Sequence, residues 1–280
     1  MSRTWRGADP PEPAPPGLAG WLRGLATGGP LALLVFGGLA LMLVLRPAER
    51  AIWGAHRPVT PWITVGVCRG ALPLLGIRPT RRGRPVEGAC AAMVANHASW
   101  ADIFALNACA PLYFVAKAEV AGWPGIGWLA RATGTLFITR DRRAARQQRA
   151  AMVERLRHGH RLLFFPEGTS TDGRRVLPFV PTLFDALYDA RLPDDLLVQP
   201  VTVAWHAPPG QPEAFYGWWD EMDFAPHLLR VLAAPGRGRV EVILHPPVRV
   251  AAHGDRKRLA RALEDQVRAG LEAALRPAAR

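Results

Sequence analysis

Between Gly28 and Leu45 the chain runs GGPLALLVFGGLALMLVL, 18 residues without one charged side chain. A helix needs about 20 apolar residues to cross a bilayer, with roughly 17 as the lower limit. The run therefore reads either as a span or as a segment dipping into one leaflet, with a buried core helix as the bland alternative. It is not read as a cleaved leader, because it starts late and is followed by Arg46, Pro47 and Glu49 rather than by small residues. Arg23 on one side and Arg46, Arg50 and Arg57 on the other leave its orientation open. A second apolar stretch, Val59 to Leu75, is interrupted by Arg69 and has Trp53 and Trp62 near its start, which suits an interfacial helix. The two stretches, residues 28–76, are expected to form a hairpin against a membrane. Ahead of them Pro10, Pro11, Pro13, Pro15 and Pro16 forbid helix, so residues 1–27 are expected to be a disordered Pro-rich tail.

The rest of the chain has enough apolar surface to fold. Apolar residues make up 49% of the 280, which excludes a disordered chain. Cys68, Cys90 and Cys109 are few, odd in number and without bridging or metal spacing, so neither a disulfide scaffold nor a metal site is expected. With 35 basic and 23 acidic residues the net charge is +12. A basic, apolar chain suits a nucleic acid or a membrane surface. The basic residues include only two lysines, Lys117 and Lys257, so compositional bias is a third reading.

From Ile77 onward short apolar runs alternate with helical stretches: Ala91–Ala95, then Trp100–Ala108; Tyr113–Ala116, then Gly125–Ala132; Thr135–Ile138, then Arg142–Arg157; Leu162–Phe165, then Pro181–Ala190; then Leu197–Val203 and Val240–Leu244. This alternation predicts an α/β domain over residues 77–280, a central mixed but mostly parallel sheet flanked by helices. The last helix is the clearest element. Asp255 suits its N-cap, and Leu259, Leu263, Val267, Leu271 and Leu275 form one apolar stripe. Packing on the domain is the expected role, with docking of its basic faces on anionic lipid as the alternative.

Three segments carry the chemistry. In Asn96-His97-Ala98-Ser99-Trp100-Ala101-Asp102 an apolar strand ends in a polar turn before a helix. Five residues apart on one straight helix, His97 and Asp102 would point about 140° apart. They meet only if the helix starts between them. Asp102 would then fix the imidazole tautomer and leave the other nitrogen as a base. Spacing alone weighs this evenly against a helix-capping Asp102 and a turn histidine. In Phe164-Phe165-Pro166-Glu167-Gly168-Thr169-Ser170-Thr171-Asp172-Gly173 a strand runs into a loop able to present N–H groups to an anion, although Pro-Glu-Gly by itself is an ordinary turn. In Gly134-Thr135-Leu136-Phe137-Ile138-Thr139-Arg140 a strand ends in an arginine suited to a phosphate or carboxylate, or simply to the surface.

Taken in order, NHASWAD, GTLFITR and FPEGTSTDG, followed by Val198-Gln199-Pro200-Val201, resemble the four blocks of the glycerophospholipid acyltransferase family, which includes the 1-acylglycerol-3-phosphate acyltransferases. The resemblance implies a membrane-associated O-acyltransferase. It would move a fatty acyl group from acyl-CoA or acyl carrier protein to the hydroxyl of a lysolipid, with His97 as general base and Asp102 orienting it. It further implies that Asn96, Lys117, Arg140, Glu167, Gly168 and Thr169 bind the acceptor. No metal and no cofactor beyond the acyl donor are implied, and the expected place is the cytoplasmic side of the cell inner membrane, against anionic lipid.

One departure bears on the acceptor. Many glycerol-phosphate-using members carry Arg directly after the F-P-E-G-T block, where this chain has Ser170; Arg174 and Arg175 follow the Asp172-Gly173 turn. That form, and the segment Trp219–Leu228, look similar to the lyso-ornithine-lipid acylating branch. Lysophosphatidate and lyso-ornithine lipid both stand as acceptors. A basic membrane- or nucleic-acid-binding protein without catalysis is the rival class, but no recognition-helix, zinc-finger or RNA-binding signature supports a nucleic-acid partner. A serine hydrolase built on Ser99 lacks a G-x-S-x-G elbow.

Overall fold

The first helix begins ten residues earlier than the sequence suggested. In the computed structural model, which describes residues 4–7, 9, 15–87, 91–139 and 141–276, α1 spans Leu18–Trp53 and continues through Pro30 and Pro47. Residues 18–27, expected in the disordered tail, are helical because they are docked. Gly20, Gly24 and Gly28 let α1 approach helix α6 (Phe224–Ala233), so a Cβ on any of them would lie 3.4–3.5 Å from Ala233, Leu229 or Leu232. The Arg23 guanidinium donates to the Ala233 carbonyl at 3.0 Å. Residues 4–7 are also held, with Trp5 edge-on to Trp219 and Arg6 paired with Asp220 and Glu221. Pro15 and Pro16 are non-helical; Pro10, Pro11 and Pro13 lie outside the described residues.

Helix α2 (Thr60–Leu74) folds back on α1 as the expected hairpin, with Val67 over Gly38 and Leu34 over Gly70. Its corner is closed by the buried Glu49 carboxylate, which accepts the Val59 and Thr60 N–H groups and the Thr60 hydroxyl. An acidic group at a helix N-terminus satisfies donors that have no partner inside the helix. The outer face of α2 carries the exposed Trp62, but Val65, Cys68, Ala71 and Leu72 are buried. The hairpin is therefore one wall of the α/β domain rather than an appendage. By length and composition α1 alone suffices to cross a membrane. It lies along the domain, against α6 at one end and against helix α4 (Ile126–Thr133) at the other.

The strands are β1 (Ile77–Arg82), β2 (Ala91–Ala95), β3 (Tyr113–Lys117), β4 (Leu136–Ile138), β5 (Leu162–Phe164), β6 (Leu197–His206), β7 (Gly238–Leu244) and β8 (Val248–Arg249). Their order is β1-β7-β6-β2-β5-β3-β4, with β8 beside β6. Pairing is parallel except where β6 meets β7 and β8, which is the mixed, mostly parallel sheet that the alternating pattern predicts. Both faces are covered. Along β2, Ala91, Met93 and Ala95 enter one core with α1, α2, α3 (Asp102–Asn107) and α6, while Ala92 and Val94 enter the other with α5 (Arg142–Arg157) and α7 (Arg256–Leu275). This two-residue alternation between cores is the strand period.

Asp255 caps α7, accepting the Lys257 and Arg258 N–H groups. Leu259, Leu263, Val267 and Leu271 are buried and Leu275 partly so, which commits the apolar stripe to the core. Arg256 pairs with Asp185 and Arg268 with Glu264. β1, α6 and β8 escaped the sequence pattern: β1, IRPTRR, is an edge strand with only Ile77 buried, and β8 is two residues long.

The neighbours β2, β5, β3 and β4 run parallel, so their carboxyl ends gather at one edge of the sheet. Asn96 follows β2, Lys117 closes β3, Thr139 follows β4 and Phe165 follows β5. Carboxyl ends of parallel strands are where α/β sheets place ligands.

Candidate active site

The residue after β2 extends the strand's pairing with its side chain. The buried Asn96 amide donates to the Val203 carbonyl at 2.9 Å and accepts the Val203 N–H at 2.8 Å, bridging to β6 where the ladder has stopped. The chain then turns. The turn is fastened from outside, because the Thr171 N–H donates to the His97 carbonyl at 3.0 Å and the Trp218 N–H to the Ala98 carbonyl at 2.8 Å. Helix α3 begins at Asp102, which is the geometry that lets His97 and Asp102 meet.

They do meet. His97 Nδ1 lies 2.8 Å from Asp102 Oδ2. The carboxylate does not cap α3; it reaches back instead, its Oδ2 accepting the Ala98 and Ser99 N–H groups at 2.8 and 2.9 Å, while Oδ1 accepts the Trp205 indole N–H at 2.7 Å. Asp102 is fully buried, and four N–H groups compensate the charge that burial would otherwise leave uncompensated. With Nδ1 donating to Asp102, the lone pair of the neutral imidazole sits on Nε2. The ring stacks on Phe165 with centroids 4.0 Å apart and planes 14° apart, which leaves the side chain 21% exposed. Ser99 is buried and its hydroxyl accepts the Ala101 N–H, so it is a turn residue rather than a nucleophile.

Glu167 stands directly behind this pair. Its Oε1 accepts the His97 N–H and its Oε2 the Leu177 N–H, each at 2.7 Å, and only 2% of the residue is exposed. Burial pushes its carboxyl up to about 8, against the two N–H bonds that pull it down, and nearby Asp102 raises it further. Gly168 follows with a φ of +69°, a left-handed turn that glycine adopts without strain. Glu167 and Asn96, both expected to bind the acceptor, are thus placed in the frame that holds His97, with their polar atoms already used. Thr169 remains in the half-exposed loop, with only a 3.4 Å contact to the Ser170 carbonyl. Lys117, half-buried, ends β3 at the same sheet edge. Arg140 lies outside the described residues; Thr139 just before it accepts from Gln148.

The two arginines that follow the loop are engaged. Arg174 pairs with Glu213 at 2.9 Å, and Arg175 pairs with Asp172 at 2.9 Å beneath the Trp5 ring. The Val198–Val201 block lies inside β6, where Gln199 donates to the Arg84 and His245 carbonyls and accepts the Val86 N–H. Its role is to fasten the segment before β2. The segment 219–228 is tied to the turn before α3, where the Trp100 indole donates to His227 Nδ1 at 2.8 Å. Burial lowers His227 to about 4, so it stays neutral and able to accept. Among the described residues no three metal-ligating side chains come together.

Trp205 and Phe165 complete the site without having been singled out from the sequence. Trp205 is the ninth residue of an apolar strand and has no motif around it. Phe165 was visible only as the end of an apolar run.

Comparison with known proteins finds relatives of more than one kind and a solved structure. A family model described as Acyltransferase matches residues 81–204. A lyso-ornithine lipid O-acyltransferase of Rhodobacter capsulatus is 53% identical over 267 residues, 95% of this chain and 96% of that protein. One of Brucella abortus is 38% identical over 72% of this chain and 79% of its own length. A 1-acyl-sn-glycerol-3-phosphate acyltransferase of Neisseria gonorrhoeae is 38% identical over 45% of this chain and 50% of its own. The crystal structure of the 1-acyl-sn-glycerophosphate acyltransferase of Thermotoga maritima superposes with a TM-score of 0.66 at 20% identity, over 93% of this chain and 98% of that one, which establishes the shared fold.

Proposed function

This chain belongs to the acyltransferase family and is an acyltransferase of lysolipids; from that premise we propose that His97 Nε2 is its general base and an acyl thioester its donor. The observation that carries the reading is the buried Asp102 carboxylate on Nδ1 of a partly exposed histidine that stands just past the carboxyl end of β2. The lysolipid hydroxyl gives its proton to Nε2 as its oxygen attacks the thioester carbonyl. The tetrahedral intermediate then collapses, the C–S bond breaks, and the leaving thiolate takes the proton back from the imidazolium. Asp102 stabilises that imidazolium while it lasts. Acyl-CoA and acyl carrier protein supply the same thioester chemistry.

Lyso-ornithine lipid is the proposed acceptor. The relatives matched over most of their length carry that name. Arg174 and Arg175, held by Glu213 and Asp172, do not offer the free guanidinium cluster that a phosphomonoester would call for. The proposed place is the cytoplasmic face of the inner membrane, with α1 in the interfacial plane. Its outer face exposes Leu22, Leu25, Leu33, Val44 and Ile52, and Trp128 of α4 continues the same apolar surface at 62% exposure. A contiguous apolar surface of this kind on a basic protein suits a lipid boundary.

The test is acyl transfer by the purified chain, with lyso-ornithine lipid and lysophosphatidate each offered with acyl-CoA and with acyl carrier protein. His97→Ala should lower turnover by roughly 10²–10⁴-fold. Near-wild-type turnover in that variant sinks the base assignment, and faster turnover with lysophosphatidate sinks the acceptor assignment.

A further inference from the structure

A second charged site lies at the far edge of the sheet. Tyr113, Thr135 and His160 stand at or just before the amino ends of β3, β4 and β5, whereas His97 and Lys117 stand at carboxyl ends. A strand of five residues separates the two edges by about 15 Å. At the amino edge the end of α1 meets α4 across a cavity of about 730 Å³, lined by Arg46, Glu49, Arg50, Arg57 and Arg131 among others. Arg155 lies just behind, over the Tyr113 ring that Arg57 also approaches.

The positive charge here is in excess, with Glu49, which interacts with Arg46, as the one carboxylate among the lining residues. Among the described residues none of these five arginines forms an ion pair. Glu49 is taken by the start of α2. Arg46, Arg131 and Arg155 donate only to neutral acceptors, chiefly the carbonyls of Ala132, Ala121 and Gly134. Among the described residues the buried Arg57 Nη1 and Arg155 Nε have no hydrogen-bond partner. The neighbourhood registers the excess. Burial, then Arg57 and Arg46, lower Arg155 to about 10, and burial with Arg155 and Arg57 lowers His160 to about 3. Gathered guanidinium groups with spare donors call for an anion, and their planar forks fit phosphate oxygens.

The cavity also has an apolar annex. Leu43, Arg131 and Ala132 belong both to it and to a groove of about 450 Å³ that adds Leu39 and the exposed Trp128. Arg46 sits where the uncharged run ends. We propose that this cavity and groove bind one anionic glycerophospholipid, its phosphate among Arg46, Arg57 and Arg131 and an acyl chain along Leu39, Leu43 and Trp128. The lipid would be a bound partner that seats the hairpin on the membrane, separate from the acceptor at His97. The seating role rests on the reading that α1 lies in the interface; the lipid site itself rests on the arginines and the groove.

The test is sedimentation of the full-length chain with phosphatidylcholine vesicles, with and without phosphatidylglycerol. Arg57→Gln with Arg131→Gln should weaken binding to the anionic vesicles by roughly 10- to 30-fold, as expected for two arginines near the surface, and leave neutral vesicles unaffected. Arg258→Gln with Arg261→Gln removes the same charge from α7 and should weaken binding by less than about 3-fold. Equal loss in both pairs overturns the site in favour of diffuse charge, and no loss in the first overturns it outright. If the first pair does not melt cooperatively, Arg50→Gln with Arg131→Gln, both at exposed positions, carries the same expectation. Dispersed short-chain phosphatidylglycerol should raise Tm in the wild type but not in the variant; inorganic phosphate doing so equally overturns the lipid assignment. Wild type that binds anionic but not neutral vesicles rejects the interfacial α1 and keeps the site, whereas binding to neither rejects both.

Discussion

Asp102→Asn together with Trp205→Phe separates the electrostatic role of Asp102 from its structural one. An asparagine here keeps the volume and loses the charge. Its carbonyl best takes the place of Oδ2, where three donors converge, which turns its NH₂ toward the Trp205 indole N–H 2.7 Å from the present Oδ1. Two donors then face each other in a site with no exposure, at about 1–3 kcal/mol. Trp205→Phe removes the opposing donor but leaves the amide NH₂ without an acceptor, so the double variant should recover part of that stability. Turnover should not recover. With charge centres about 4 Å apart and an effective dielectric of about 20, carboxylate and imidazolium attract by about 4 kcal/mol. If half to three-quarters of the charge has developed in the transition state, about 2–3 kcal/mol is lost, roughly 30- to 160-fold in kcat. Thermal melts and kcat at saturating lysolipid in detergent, over the four members of the cycle, read both quantities. A double variant that regains wild-type kcat along with its Tm refutes the reasoning, because Asp102 would then act by shape alone.

Three further outcomes are expected. Asn96→Ala strands the Val203 N–H and carbonyl in the core, so it should lower stability by about 2–4 kcal/mol in urea titration and leave the acceptor KM unchanged; a raised KM at unchanged stability would return Asn96 to the substrate. Glu167 has a folded-state pKa of about 8 against an ordinary 4.5, so its contribution to stability is complete below about 4.5 and is lost as pH rises through about 8. Unfolding free energy should therefore fall by a few kcal/mol between pH 5 and pH 9 and flatten in Glu167→Gln, and parallel profiles would show that Glu167 titrates normally. Arg140→Ala, judged from its place in the GTLFITR block, should chiefly raise the acceptor KM, and an unchanged KM removes it from the site.

Much of this protein is legible along the chain because its elements are coded by local period. The four-residue stripe of α7, the uncharged run of α1 and the apolar runs of β2 and β5 each name their element before any contact forms. The spacing of His97 and Asp102 leaves their pairing open, as it allows them to meet only if a helix starts between them; the fold decides it by starting α3 at Asp102. What the sequence alone does not determine is how the polar atoms are shared out. Asn96 faces a strand 107 residues away, Asp102 takes its fourth donor from a tryptophan 103 residues away, and Glu167 supports a backbone 70 residues before it. Nothing local marks these pairings, because a buried donor takes whichever acceptor the closed sheet brings within reach. The start of α1 is decided the same way, by an α6 surface more than 190 residues on that its glycines fit. Residue type and spacing thus point to the reaction, and tertiary closure decides which of the polar groups in those motifs are consumed in holding His97.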